Sequence, residues 1–155
     1  MQSFRITDVK GFMAQLLTRE AFDSFLLVEA TIHNRVAYVI DGHVAGEATP
    51  CVPYGDVRPL CFDMIKGSKT PEFFQFVLQL APEVKDKFIE DSDVVLQSAD
   101  VLSLSMNIRY QNDELTIVTG TSLRIFTVDR SLEQQWDQWV RRFLTEGNYT
   151  FEENV

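Results

Sequence analysis

Two periods of apolar and polar positions alternate along this chain. Phe4-Arg5-Ile6 alternates as a short strand. Val9, Phe12, Met13, Leu16 and Leu17 then recur at i, i+3, i+4, i+7 and i+8, which predicts an amphipathic helix. Thr7 is placed to cap it, with Asp8 in its first turn meeting the positive end of the dipole. Gly11 costs that helix about 1 kcal/mol relative to Ala, so packing of the apolar stripe on a sheet has to support it. In FLLVEATI, residues 25–32, Leu26, Val28, Ala30 and Ile32 share one face, while Glu29, Thr31 and His33 share the other. Asn34-Arg35 reads as a hairpin turn, and Val36 to Ile40 as the return strand, closed by Asp41-Gly42.

The same order recurs further on. FFQFVLQL, residues 73–80, has the period of two of a strand. Pro82 suits a first helical position with Glu83 beside it, and Val84, Phe88 and Ile89 are expected to face inward. LSLSMNIRY follows an acidic loop and lines up Leu102, Leu104, Met106, Ile108 and Tyr110 on one face. The segment Gln111 to Glu114 is its turn, Leu115 to Val118 the return, and Leu123 to Val128 a further strand. A last helix starts at a capping box, Ser131 to Gln134. It carries the stripe Leu132, Trp136, Trp139, Val140 and Phe143 and ends at Gly147.

Side by side, the two runs read as an internal duplication of a β-α-β-β unit, against the alternative that binary patterning alone makes them alike. The expected fold is α+β: a duplicated β-α-β-β(-β) unit forming a curved antiparallel sheet, two helices on one face, and an added C-terminal helix. It is expected to be one domain over residues 1–155. The first repeat spans about 2–42, a connector about 43–72, the second repeat about 73–128, and the C-terminal helix about 131–146. The connector opens on a turn-rich stretch, Gly42 to Pro59, read as a long ordered excursion.

The segments DSFLLVEATI, IDGH, RPLCFDMIKGSKTP, NIRY and TIVTGTSL, with the Trp-bearing last helix, resemble an uncharacterised bacterial family, a domain of unknown function. That resemblance spans nearly the whole chain and implies no role for any residue. The run LSLSMNIRYQNDELTIVTGTSLRIFTV is similar to the hairpin of DNA sliding-clamp (processivity-factor) domains. Ser122 stands where the clamp pattern often has Asp. Clamp domains are built from a duplicated unit of this kind, so the resemblance implies a DNA-clamp-like fold.

Charge weighs against a clamp's task. The 155 residues hold 14 Lys+Arg and 23 Asp+Glu, a net −9, and acids gather around residues 83 to 100. A ring around DNA needs basic helices to displace counterions from phosphates. Lys85 and Lys87 instead alternate with Glu83, Asp86, Glu90 and Asp91. With 45% hydrophobic and 24% charged residues the chain has the composition of an ordinary globule. No apolar run approaches the roughly 18 residues of a membrane span. Asp8 falls where a signal peptide would be apolar, so a soluble cytoplasmic protein is the expectation.

Candidate chemistry is sparse. His33, His43, Cys51 and Cys61 offer four N/S ligands, yet without a C-x-x-C or H-x(3–5)-H pair to preorganise them. Two surface histidines and two packed thiols is the reading favoured, and no metal or cofactor is expected. Asp41, a histidine and Cys51 or Cys61 form a possible nucleophilic set that requires an exposed, acidified thiol. Lys66-Gly67-Ser68-Lys69-Thr70-Pro71, with Arg58 upstream, gathers cations and hydroxyls suited to an anion, against the reading of a solvated turn. Arg58, Lys66 and Lys69 are its candidate ligands. Glu90, Asp91, Asp93 and Asp100 lack the pattern of a calcium loop. Trp136 and Trp139 are candidate anchors for a partner if exposed, and core contacts otherwise. The expected function is a non-enzymatic binding or assembly module with protein partners, self or other. The alternatives are a nucleic-acid-associated clamp-like domain and a small Cys/His enzyme.

Overall fold

In the computed structural model, which describes residues 1–46, 50–67 and 69–154, the period-two segments pair into one sheet. The chain runs β1 (Ser3–Ile6), α1 (Val9–Thr18), β2 (Leu26–Asn34), β3 (Val36–Asp41), β4 (Val52–Pro53) and α2 (Tyr54–Ile65). It continues β5 (Phe73–Gln79), α3 (Pro82–Glu90), a single 3-10 turn (Ser98–Asp100), β6 (Val101–Gln111), β7 (Glu114–Leu123), α4 (Ser131–Glu146) and β8 (Phe151–Asn154). The eight strands form an open antiparallel sheet in the order β3-β2-β5-β6-β7-β1-β8, with β4 pairing with β2. The fold is α+β, with a C-terminal helix, as the patterning predicts.

Register explains the core. Ile32, Phe74, Tyr110, Leu115, Ile6 and Phe151 lie opposite one another in a single row across the sheet. Ala30, Phe76, Ile108, Ile117 and Phe4 form the next row on the same face. All four helices deliver buried side chains to the cluster built on this face. The opposite face carries Thr31, Gln75, Arg109, Thr116 and Arg5 in register, and none of these is buried. One apolar and one polar face is what alternation along antiparallel strands produces.

The β-α-β-β order occurs twice, at β1-α1-β2-β3 and at β5-α3-β6-β7. The sheet treats the two units differently. β5 lies beside β6 of its own unit, whereas β1 lies between β7 and β8.

Several local expectations change. Asp8, not Thr7, caps α1, accepting from the Gly11 N–H at 3.0 Å. Thr7 instead bonds Thr150 through its N–H (2.9 Å) and its hydroxyl (2.8 Å), because β8 returns beside β1. Part of the connector is helical: α2 runs straight through Pro59. A β-bulge between Val101 and Ser103 turns Val101 into the core and Leu102 out to 52% exposure. Val84 is likewise exposed on α3. No separate strand spans 123–128, because β6 begins at Val101, opposite Leu123, and β7 has no partner beyond it. At α4, Ser131 donates its N–H (2.9 Å) and hydroxyl (2.6 Å) to Asp129, and Arg130 occupies the cap position. The expected capping box does not form.

Candidate functional site

Tyr54 opens α2 and fixes it against α1, its hydroxyl donating to the Leu16 carbonyl at 2.9 Å. At the far end of α2, Asn34 Nδ2 donates to the carbonyls of Met64 (3.1 Å) and Ile65 (3.3 Å). The helix is therefore held at both ends over β2. Between α1 and the C-terminal half of α2 lies an open groove of about 750 Å³. Val9, Met13, Leu17, Phe62 and Ile65 give it apolar walls. Lys10, Lys66 and Lys69 stand on its border. Lys66 pairs with Asp63 at 3.0 Å and lies over the Phe62 ring at 5.9 Å. Lys10 and Lys69 make no ion pair among the described residues. The groove's acid, Asp113, is engaged by the Tyr110 hydroxyl at 3.2 Å. Burial, reinforced by that hydrogen bond, raises the Tyr110 pKa.

Two of the three expected anion ligands, Lys66 and Lys69, thus meet at one groove. Arg58 does not join them. Its Nε and Nη2 donate to the Asp23 carboxylate at 2.8 and 3.3 Å, a bidentate pair tying α2 to the turn after α1. That hydrogen bonding raises the Arg58 pKa further. Ser68 of the basic cluster and residues 47–49 of the connector lie outside the described residues. The sequence does not join Lys10 to this cluster, because only the packing of α1 against α2 brings it beside residues so distant in the chain.

The tryptophans separate. Trp136 is 1% exposed, donates Nε1–H to the Ser105 carbonyl at 2.9 Å, and meets Phe88 edge-on. It is a core residue and presents no docking face. Trp139 is half-buried, stacked between Trp136 and Phe143, and borders a second cleft of about 640 Å³ between α3 and α4. Lys87 and Arg142 share that cleft with Asp91 and Asp93, so it has no dominant charge.

Asp41 and His43 do come together, with Nδ1 and Oδ1 2.6 Å apart, and the backbones of His43 and Cys51 form an isolated antiparallel β-bridge. The His43 N–H and ring hold the Asp41 carboxyl below its usual pKa. Cys51, however, is 2% exposed, and its sulfur accepts from Gln79 Nε2 at 3.8 Å. Burial, with the Asp41 charge beside it, pushes its thiol pKa up. Cys61 is fully buried and pushed up to about 11 by desolvation. Neither thiol has the exposed, acidified setting of a nucleophile. His33 lies elsewhere, packed against Phe73. Among the described residues no group of three His, Cys, Asp or Glu side chains could hold a metal ion. No helix among them is long and apolar enough to cross a membrane. On α3, Lys85 Nζ is bonded to the Val101 carbonyl at 2.6 Å, which takes it out of any basic surface.

A family model described as "Family of unknown function (DUF5721)" matches residues 15–152. The chain belongs to this family. No curated protein and no solved structure matches this DUF5721 member. The match takes in α2, β5 to β7, α4 and the α2 side of the groove, while β1 and α1 up to Ala14, with the groove residues Val9, Lys10 and Met13, lie ahead of it.

Proposed function

We propose that this DUF5721 domain is a non-enzymatic binding module for protein partners, and that the α1–α2 groove receives an acidic, apolar segment of the partner. One observation carries the reading: a groove with apolar walls bordered by three lysines on a chain of net charge −9. Apolar walls supply the affinity through burial, and cations on the border select the sign of the partner and speed its approach. An open groove suits a peptide segment better than a small enclosed ligand, whose sites bury most of its surface. The raised thiol pKa values favour binding over chemistry.

The test is an NMR titration of the whole chain with a short amphipathic peptide of alternating Leu and Glu, and with its Leu/Lys counterpart. The acidic peptide is expected to shift resonances of Met13, Phe62, Lys66 and Lys69. Paired substitution Lys66→Glu with Lys69→Glu is expected to weaken it about tenfold, near 1.4 kcal/mol. Equal binding of the basic peptide, or shifts confined to another surface, overturns the proposal.

A further inference from the structure

The cleft between α3 and α4 is lined by one stripe from each helix. Val84, Lys87, Phe88 and Asp91 recur on α3 and its cap at i, i+3, i+4 and i+7. Gln135, Gln138, Trp139 and Arg142 repeat that spacing on α4. Phe88 meets Trp136 edge-on at 5.9 Å, and both Phe88 and Trp139 are only partly buried against the core. Ring surface is thus left within a volume of about 640 Å³.

The polar side chains of this cleft have no protein partner. Lys87, Arg142, Asp91 and Asp93 form no ion pair among the described residues, not even Lys87 with Asp91 one turn on. The amides of Gln135 and Gln138 make no hydrogen bond to a described residue, and neither does the indole N–H of Trp139. Its neighbour in the same aromatic stack, Trp136, does donate its N–H, to the Ser105 carbonyl. Charges of both signs, neutral donors and acceptors, and ring surface therefore line one volume, and the fold itself engages none of the charges.

We propose that this cleft binds a short peptide with both termini free. The peptide's ammonium lies at Asp91 and Asp93, its carboxylate at Lys87 and Arg142, and an apolar side chain rests on Phe88 and Trp139. Charge selects this class of ligand. An anion meets two carboxylates in the same cleft and a cation meets two basic side chains, so a ligand of one sign is opposed. A zwitterion answers both. Length selects it further. The basic and acidic side chains stand too far apart to pair with one another, whereas the ends of an extended di- or tripeptide lie about 7–11 Å apart. The open form of the cleft suits a peptide, and its volume accommodates one. The site shares no residue with the α1–α2 groove, and either reading stands without the other.

The test is an NMR titration of the whole chain with the tripeptide Ala-Phe-Ala, with its N-acetylated form and with its C-amidated form. The free tripeptide is expected to shift the Trp139 indole resonance and the backbone resonances of Phe88 and Asp91. Each blocked form is expected to bind at least about threefold more weakly, the scale of one exposed ion pair. Paired variants assign the two ends. Asp91→Asn with Asp93→Asn is expected to remove the effect of acetylation and to keep that of amidation. Lys87→Gln with Arg142→Gln is expected to do the reverse. All four side chains are exposed, and circular dichroism checks that the variants stay folded. The blocked peptides on the unaltered chain decide alone if a variant unfolds or binds no peptide. An unmoved Trp139 resonance at about 10 mM peptide overturns the proposal. So do shifts confined to another surface, blocked forms that bind as well as the free one, or an acetylation effect that survives loss of both aspartates.

Discussion

Cys61 shows how one residue's setting decides its chemistry. Desolvation raises its thiol from 9.0 to about 11, so the neutral form is favoured in the folded state. The sign follows from linkage. A raised folded pKa contributes stability below the unfolded value and loses it as pH climbs through the folded one. Urea stability is therefore expected to fall between pH 9.0 and about 11, and Cys61→Ser to flatten that fall. Ellman's reagent at neutral pH is expected to label neither cysteine until denaturant is added. Tyr54 is a second residue whose role lies in one contact. Tyr54→Phe strands the buried Leu16 carbonyl and is expected to cost about 1–3 kcal/mol in chemical denaturation. The sequence offered Cys61, between Leu60 and Phe62, as a packed thiol, but Tyr54 stands between Pro53 and Gly55 and its partner at Leu16 lies far along the chain, so its role left no local signal.

At the scale of elements, legibility followed periodicity. The helix stripe at Val9 to Leu17 and the strands β5 and β6 were readable because each buries one face only, whereas in β2 a bulge between Leu27 and Glu29 puts Leu27, not Leu26 and Val28, on the core face with Ala30 and Ile32. α2 was not, because Gly55 and Pro59 are loop signals and tertiary packing of Tyr54, Cys61 and Ile65 overrides them. Pro59 withholds an N–H from the Gly55 carbonyl one turn earlier. Pro59→Ala is expected to raise stability by about 1–2 kcal/mol, the helical gain less the unfolded-state entropy that proline removes. Gly42 ends the hairpin where a side chain has no room, since a Cβ would meet the Leu27 carbonyl at 1.8 Å. Gly42→Ala is expected to lower Tm sharply, by more than about 3 kcal/mol equivalent, through forced displacement of β2. The β-bulge at Val101 and the short reach of β7 were likewise matters of partner strands, not of local pattern.

For the whole molecule, the C-terminal strand closes what the first strand opens. Phe151 meets Phe4 edge-on at 5.5 Å and Tyr149 meets Phe12 at 5.2 Å, so the last residues seal the core beside β1. Removing residues 148–155 is expected to lower the urea midpoint and to increase binding of an apolar dye to the exposed core. The alternation of apolar and polar residues alone settled the fold class, most of the elements and one apolar sheet face, since burial on one side imposes its period locally. It also brought Lys66 and Lys69 forward as a basic cluster, since they stand close along the chain. Strand order, the divergent placement of the two β-α-β-β units and the joining of Lys10 to that cluster came only with tertiary structure. So did the burial of Trp136 and the pairing of Arg58 with Asp23. These rest on contacts between residues distant in sequence, and a local period carries no information about which distant element will supply the partner.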